Sequence, residues 1–221
     1  MNGHVAERFT RTTQNRVGLS HVGSNPTMPT IRDKNLLAYV IGLAIGDGNL
    51  SNPNGRATRL RISCDTKYPN LINKIIRSIK TLLPNNRVSP VKRKGNCLDV
   101  SCYSNQWETL LGWYVGKGSK IVQRVTIPKW IQQNEQYKIN CIRGLVETDG
   151  TIYTDRGYKA VMFVSAIPKL ANDFYSIIQS FGFAPHMYKI KRKNPASKAI
   201  YHIRISKDVD RFLNLIHPEK S

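Results

Sequence analysis

Acidic side chains are scarce in this sequence. Asp and Glu together number 14, against 34 Lys and Arg, and the formal net charge is +20. The excess of basic residues is +2 over residues 1–30, +12 over 31–130 and +6 over 131–221, so it is not confined to a tail. A basic balance spread along a chain of this size is typical of a protein that binds a polyanion, most often a nucleic acid.

Cysteines and long apolar runs are also few. The four cysteines, Cys64, Cys97, Cys102 and Cys141, form no CxxC pair and no Cys/His cluster with zinc spacing, so we expect reduced thiols in an intracellular protein. The longest apolar run, residues 36–45, is about half the length of a membrane span. Residues 1–30 are polar, lack the apolar segment of a secretory signal, and are expected to form a disordered arm.

Two related stretches organise the rest of the chain. Tyr39-Val-Ile-Gly-Leu-Ala-Ile-Gly-Asp47-Gly48 recurs in altered form as Cys141-Ile-Arg-Gly-Leu-Val-Glu-Thr-Asp149-Gly150. We call these two stretches the first and second motifs. Each is a short apolar segment that contains a glycine, Gly42 or Gly144, and ends in Asp-Gly. A glycine costs roughly 1 kcal/mol in a helix interior, which is reasonable where a second backbone must approach closely. We therefore predict that the two motif helices pack on each other and bring Asp47 and Asp149 together.

The order of predicted elements is the same after both motifs. Each half reads α-β-β-α-β-β-α, with an amphipathic helix (apolar residues at helical spacing from Leu71 to Leu83, and from Leu170 to Phe181) placed to cover a sheet. We predict an α+β fold of two tandem, pseudo-symmetric repeats that form a saddle. The predicted domains are residues 31–115 and 137–221, joined by a linker over 116–136.

Basic residues recur on the predicted strands and hairpin tips. Arginines alternate with aliphatic residues in Arg59-Leu-Arg61-Ile62, which predicts a half-buried strand with a cationic outer face. A two-stranded ribbon fits the major groove of DNA, where Arg and Lys can read guanine. The candidate DNA-contacting residues are Arg56, Arg59, Arg61, Lys92, Arg93, Lys94, Lys189, Lys191, Arg192, Lys193, Lys198, His202 and Arg204. In the second half we expect Val161 and Phe163 to take the places of Arg59 and Arg61, so that this surface reads thymine methyl groups or DNA shape.

Two carboxylates at adjacent helix C-termini would repel each other and the helix dipoles, and a bound cation would remove that conflict. The hard oxygen ligands expected here, namely Asp47, Asp149 and nearby backbone carbonyls, suit Mg²⁺ better than zinc. The alternative is that each Asp-Gly pair merely ends its helix, with Gly48 and Gly150 as C-caps.

The two motifs, about a hundred residues apart in a strongly basic chain, resemble those of the monomeric, two-motif LAGLIDADG homing endonucleases. The resemblance covers residues 33–221 and implies an intron-encoded monomer that cleaves both strands of a long double-stranded DNA site. It also implies Mg²⁺ or Mn²⁺ held by Asp47 and Asp149, with the Gly46 and Thr148 positions contributing to the metal site. The basic catalytic helper of the family corresponds to Lys117 or Lys120 in the first half and to Lys220 in the second.

The sequence also departs from the family pattern. Ile45 and Glu147 occupy the variable sixth motif position, and Cys64-Asp65 and Ala166-Ile167 stand where the family often has a water-ordering Gln or Lys. Two other functions use the same fold, namely an RNA-binding intron maturase and a DNA-binding regulator without catalytic activity. The paired acids favour cleavage, since neither alternative needs them.

Overall fold

The computed structural model describes residues 33–190 and 198–220, and the predicted N-terminal arm lies outside them. The first half consists of α1 (Lys34–Asp47), β1 (Gly48–Ser51), β2 (Arg59–Asp65), α2 (Pro69–Leu82), β3 (Val88–Lys92), β4 (Cys97–Tyr103) and α3 (Trp107–Leu111). A short helix, α4 (Lys129–Gln132), precedes the second half. The second half consists of α5 (Glu135–Thr148), β5 (Gly150–Asp155), β6 (Tyr158–Ser165), α6 (Pro168–Ser180), β7 (His186–Ile190), β8 (Ile200–Ile205) and α7 (Val209–Ile216). The predicted order αββαββα therefore occurs twice.

Each half contains one four-stranded antiparallel sheet. The strand order is β1-β2-β4-β3 in the first sheet and β5-β6-β8-β7 in the second, so the two sheets have the same topology. Helices cover one face of each sheet and leave the other face open. This arrangement is the predicted α+β saddle of two repeats.

The motif helices α1 and α5 pack against each other at the centre of the molecule. Gly42 contacts the backbone of Cys141, and a β-carbon on Gly144 would lie 2.5 Å from Tyr39 O and 2.7 Å from Leu43 N. Neither glycine could carry a side chain without separating the helices, since the obstacle is backbone in both cases. The glycines therefore explain how the two helix backbones come so close.

The start of each motif helix is fixed by a capping side chain. Asp33 Oδ1 accepts a hydrogen bond from Leu36 N at 2.9 Å, and Asn134 Oδ1 accepts one from Tyr137 N at 3.1 Å. Such caps satisfy backbone donors that have no partner inside the helix. Both motif helices are 14 residues long; α1 ends at Asp47, and α5 ends at Thr148, one residue before Asp149.

The core extends from the motif helices to the covered face of each sheet. In the first half Ile75 and Ile79 of α2 are fully buried beneath the sheet. In the second half Phe174 of α6 stacks on Phe163 of β6, with ring centroids 4.1 Å apart.

The four cysteines are free thiols, as predicted. Within the part of the chain that the structure describes, no helix is long and apolar enough to span a membrane.

Candidate functional site

The two motif acids lie side by side at one end of the central helix pair. Asp47 is the last residue of α1, and Asp149 caps the C-terminus of α5. Gly46 contacts Thr148, and a β-carbon added to Gly46 would lie 3.5 Å from Asp149 Cγ. The packing of α1 on α5 thus brings together two carboxylates that are 102 positions apart in the sequence.

The glycine after each acid turns the chain directly from helix into strand. Gly48 has φ −77° and ψ 144°, an extended conformation rather than the left-handed one typical of a glycine C-cap. A β-carbon on Gly48 would meet the carbonyl oxygen of Ala44, and one on Gly150 would meet that of Val146. Because these two residues lack a side chain, β1 and β5 can begin directly against the last turn of their helices, immediately after the two acids.

Two lysines from other parts of the chain complete the site. Lys120 Nζ donates hydrogen bonds to the carbonyl oxygens of Ala44 (3.2 Å), Ile45 (2.5 Å) and Gly46 at the end of α1. Lys220 Nζ donates to Thr148 O at 3.0 Å at the end of α5. Each lysine therefore binds carbonyls at the C-terminal end of a motif helix, and its charge offsets the negative end of the helix dipole. Of the two lysines considered for the first half, Lys120 lies at the site, whereas Lys117 is exposed in the preceding loop.

Burial acts on all four ionisable groups of the site. It raises the pKa of Asp47, and together with the charge of Asp47 it raises the pKa of Asp149 to about 6. It lowers the pKa of Lys120 and of Lys220, while the two carboxylates act in the opposite direction. The positive charges of Lys120 and Lys220 thus oppose the effect of burial on the pKa of both carboxyl groups.

The donor atoms of this centre suit a hard cation. Among the described residues, no cluster of three or more His, Cys, Asp or Glu side chains could hold a metal, so an ion here would rely on two carboxylates and backbone oxygens. The carbonyl oxygens of Gly46 and Thr148 already accept hydrogen bonds from the lysines, but each has a second lone pair. Oxygen-only ligands of this kind fit Mg²⁺ or Mn²⁺.

A cavity of about 100 Å³ adjoins Asp47 on the side of the first sheet. Its lining includes Asp47, Cys64, Asp65, Glu147 and Lys220. Asp65 pairs with Lys67 at 3.2 Å, and Ile167, near the matching place in the second half, is buried. These positions offer neither the Gln nor the Lys that the family often has there.

The open face of the first sheet carries arginines that are already held in place. Strand register puts Arg59, Arg61, Ser63 and Asp99 on this face, which we call the arginine face. Asp99 is only 3% exposed and pairs with Arg61 at 3.7 Å and with Arg93 at 3.2 Å. The buried acid thus orients two guanidinium groups towards the open side of the sheet.

The open face of the second sheet is different, and one sequence expectation about it is wrong. Val161 and Phe163 are fully buried in the core, because Gly150 pairs with Phe163 as Gly48 pairs with Ile62. The residue that matches Arg61 is therefore Met162, one position along the strand. The expectation failed because period-two alternation does not fix which set of residues faces outward, and a shift of one residue exchanges the faces.

Aromatic and apolar side chains occupy most of this second open face. Register places Met162, Val164, Tyr188, His202 and Arg204 on it, and we call it the aromatic face. Tyr188 stacks on His202 with ring centroids 5.4 Å apart, and its hydroxyl contacts Met162 Sδ at 3.8 Å.

The remaining basic candidates lie in several places. Arg204 pairs with Asp155 at 2.7 Å. Arg56, Lys94 and Lys198 are exposed next to strand ends. Lys92 pairs in register with Leu98, and Lys189 with Tyr201, so both belong to the helix-covered side of their sheets. Lys191, Arg192 and Lys193 lie outside the described residues.

Sequence reasoning missed the acids that support the basic residues. Glu147 is 1% exposed and contacts α1, α2 and the segment after α7. Asp99 and Asp155 hold arginines. Of these three acids, only Glu147 could have been singled out from the sequence, because a charged residue in an otherwise apolar helical segment needs polar partners. Its partners are distant in sequence and could not be identified from it.

Comparison with known proteins agrees with this architecture. Residues 136–217 match the family described as LAGLIDADG-like domain. The crystal structure of I-DmoI in complex with DNA and Mn is similar, with TM-score 0.60 and 18% identity over 83% of this chain and 96% of that one. The N-terminal LAGLIDADG domain of DUF199/WhiA is similar with TM-score 0.54 and 13% identity, over 83% of this chain and 82% of that one. Sequence comparison with curated proteins gives no match.

Proposed function

We propose that this chain, which has the two-repeat LAGLIDADG fold, is a metal-dependent homing endonuclease that hydrolyses both strands of a long DNA site. The observation that carries the proposal is the centre itself, where Asp47 and Asp149 meet at the ends of packed helices and each helix end holds one lysine. A protein that only binds RNA or DNA gains nothing from two partly buried acids whose ionisation is unfavourable. The Mn-bound DNA complex of I-DmoI supports the same type of activity on the same fold.

Asp47 and Asp149 are the residues that would hold Mg²⁺ or Mn²⁺, with the carbonyl oxygens of Gly46 and Thr148 as further ligands. When bound, such an ion supplies an activated water and stabilises the leaving oxygen of the phosphodiester. The carboxylates must be ionised to bind it. The positive charges of Lys120 and Lys220 counteract part of the rise in the pKa of Asp149, so they favour the ionised carboxylate that binds the metal.

The lysines have a second role in this proposal. Their ammonium groups interact electrostatically with both motif acids, so a phosphate bound at these acids would come close to them. A partly dehydrated ammonium interacts strongly with a developing negative charge. Lys120 binds the C-terminal end of α1, and Lys220 binds the C-terminal end of α5. Each lysine would therefore assist the cleavage of one of the two DNA strands.

The open sheet faces would bind the DNA flanking the cut. On the arginine face, Arg59, Arg61 and Arg93 are placed to contact phosphates or guanine edges. Of the two alternatives, an inactive regulator would use the same faces on DNA, and a maturase would use them on RNA.

Cleavage of a randomised DNA library tests the proposal directly. Purified protein is incubated in Mg²⁺ with a library of duplexes, and the cut ends are sequenced. We expect one family of related sites cut on both strands, with no cutting in EDTA. Absence of any cut sequence, together with tight binding to RNA or to uncut DNA, would support one of the binding-only alternatives.

The motif acids provide the matched variants. Asp47→Asn or Asp149→Asn is expected to abolish double-strand cleavage, because an amide is a far weaker ligand for Mg²⁺ than a carboxylate. DNA affinity should stay within about threefold of wild type, less than 1 kcal/mol. Either variant cutting at near wild-type rate would refute the assignment of the site.

A further inference from the structure

Glu147 is a buried charged side chain beneath the candidate active site, and neither metal binding nor phosphate stabilisation explains it. It occupies the sixth position of the second motif, where the first motif has Ile45. Its carboxylate is fully enclosed, and a buried carboxylate is costly unless it is hydrogen-bonded and paired.

Three groups satisfy the Glu147 carboxylate. Tyr39 Oη on α1 donates to Oε2 at 2.6 Å, and Lys74 Nζ on α2 lies 3.7 Å from Oε1. The third is the backbone N–H of Glu219, which donates to Oε1 at 2.8 Å. The segment that follows α7 is thus fastened to α5 by a hydrogen bond to a buried charge.

The residue next to that bond is Lys220. Its ammonium group donates to Thr148 O, and Thr148 is the neighbour of Glu147 in α5. Glu147 and Thr148 therefore bind two successive residues of the same segment, one through its backbone and one through its side chain. Lys74 adds a further contact, since it pairs with Glu219 Oε1 at 3.0 Å.

The first half holds its lysine by another means. Lys120 belongs to a loop that is bonded to itself, in which Val125 N donates to Lys120 O at 2.9 Å and Gln123 binds the backbone of Tyr114 and Gly118. Among the described residues, these bonds hold the backbone of the loop without a side-chain acceptor from α1, and the Ile45 side chain is packed in the core. The difference between Ile45 and Glu147 thus matches a difference in how the two lysines are supported.

We infer that Glu147 is a positioning residue, which places Lys220 at the second helix end by binding the backbone of Glu219. This inference rests on the proposed nuclease function, and it assigns a purpose to the asymmetry between the motifs. Loss of the Glu147–Glu219 hydrogen bond should leave the position of Lys120 at the end of α1 unchanged. Cleavage of only one DNA strand should therefore be slowed.

The matched variants are at Glu219, whose side chain is partly exposed. Glu219→Pro removes the N–H that Glu147 binds, because proline has no backbone donor. Glu219→Gln keeps that N–H and removes only the charge. On a supercoiled plasmid carrying the site selected from the library, we expect Glu219→Pro to slow one strand at least tenfold and to accumulate nicked circles. Glu219→Gln should cut both strands at the wild-type ratio.

Comparison with Lys220→Met separates positioning from general stability. Glu147→Ile, which installs the residue of the first motif, and Lys220→Met should slow the same strand, and the double variant should be no slower than Lys220→Met alone. Lys138→Met, on the exposed side of α5, is the control and should behave as wild type. Equal slowing of both strands, or additive losses in the double variant, would overturn the inference.

Chemical protection gives a readout that does not depend on cleavage. Reductive methylation of the Lys220 amine, followed by mass spectrometry, should be slow in wild type and in Glu219→Gln and faster in Glu219→Pro. Equal protection in all three proteins would refute the role of Glu147 even if the nuclease proposal stands. Lack of cleavage by wild type with differential protection would refute the nuclease proposal alone.

Discussion

At the scale of single residues, Asp149 is held where ionisation is unfavourable. Burial and the neighbouring Asp47 raise its pKa from 3.8 to about 6. The folded protein therefore binds a proton more tightly than the unfolded chain does between roughly pH 4 and pH 6. The carboxylate destabilises the fold above that range, and a metal ion would remove the penalty.

This penalty predicts how stability depends on pH. Because the native pKa lies above the unfolded one, the free energy of unfolding should fall as pH rises from about 4 to 6. Asp149→Asn should be more stable than wild type at pH 7, by about 1–2 kcal/mol after solvent screening is allowed for, and equal to it near pH 4. Urea unfolding of both proteins across pH 4–8 measures the difference.

Magnesium and a surface acid provide the controls for this prediction. Mg²⁺ at pH 7 should stabilise wild type and leave Asp149→Asn unchanged. Asp210→Asn, which breaks an exposed pair with Lys159, should follow the wild-type pH dependence. A constant difference between Asp149→Asn and wild type at every pH would contradict the raised pKa.

At the scale of elements, the contact between α1 and α5 fixes the distance between the acids. Gly42→Ala would force a methyl group against the backbone of Cys141, which cannot move without shifting α5. We expect a loss of about 1–3 kcal/mol in stability, because overpacking a tight contact costs that much. Cleavage per folded molecule should fall as well, since the helix ends separate.

Gly112→Ala is the matched control for this change. Gly112 ends α3 with φ 80°, and a β-carbon there would meet no atom within 4 Å. The substitution should cost about 1–2 kcal/mol through backbone strain and leave the cleavage rate of folded protein unchanged. Thermal unfolding and single-turnover cleavage distinguish the two variants. Unchanged cleavage by Gly42→Ala would show that the site tolerates wider helix spacing.

The two sheet faces should read DNA differently. The arginine face offers guanidinium groups, which pair with guanine O6 and N7, whereas the aromatic face offers Met162, Val164 and Tyr188, which suit the methyl group of thymine. Replacing thymine by deoxyuridine in the half-site under the second sheet should weaken binding by about 0.8 kcal/mol per contacted methyl. Replacing guanine by 7-deazaguanine should weaken binding in the other half-site.

Half-sites can be assigned with Arg61→Ala, which should relax sequence preference only under the first sheet. Affinities are measured without Mg²⁺, so that cleavage does not interfere. If deoxyuridine has no effect in either half-site, the aromatic face does not read thymine methyl groups.

At the scale of the whole molecule, charge rather than any single contact should dominate affinity. The chain carries a net charge of +20, and its candidate contacts lie on both halves of the saddle. Each phosphate contact contributes about −0.9 to the slope of log affinity against log salt. With about five such contacts, affinity should fall roughly 100- to 1000-fold between 50 and 200 mM salt.

Fluorescence anisotropy with a labelled duplex measures this slope. A random-sequence duplex of equal length is the control and should show a similar slope at lower affinity, since phosphate contacts carry no sequence information. A flat dependence on salt would contradict a cationic DNA-binding saddle.

Local features of the sequence were enough to predict the repeat, the order of elements and the packing of the motif helices on each other. These follow from local signals: apolar periodicity, Gly42 and Gly144 within helical segments, and an acid before Gly48 and Gly150. They also predicted that Asp47 and Asp149 lie together, because two helices that run in the same direction and pack through matched glycines align their C-terminal ends.

Which side chains face outward, and which residues hold them, depended on contacts between elements that are distant in the sequence. Alternation along β6 was visible, but its phase was set by pairing with β5, which buried Val161 and Phe163 and placed Met162 on the open face. The choice of Lys120 over Lys117 depended on how a loop folds back onto α1. The bond from Glu219 to Glu147 joins residues 72 positions apart, and no local pattern encodes a contact of that kind.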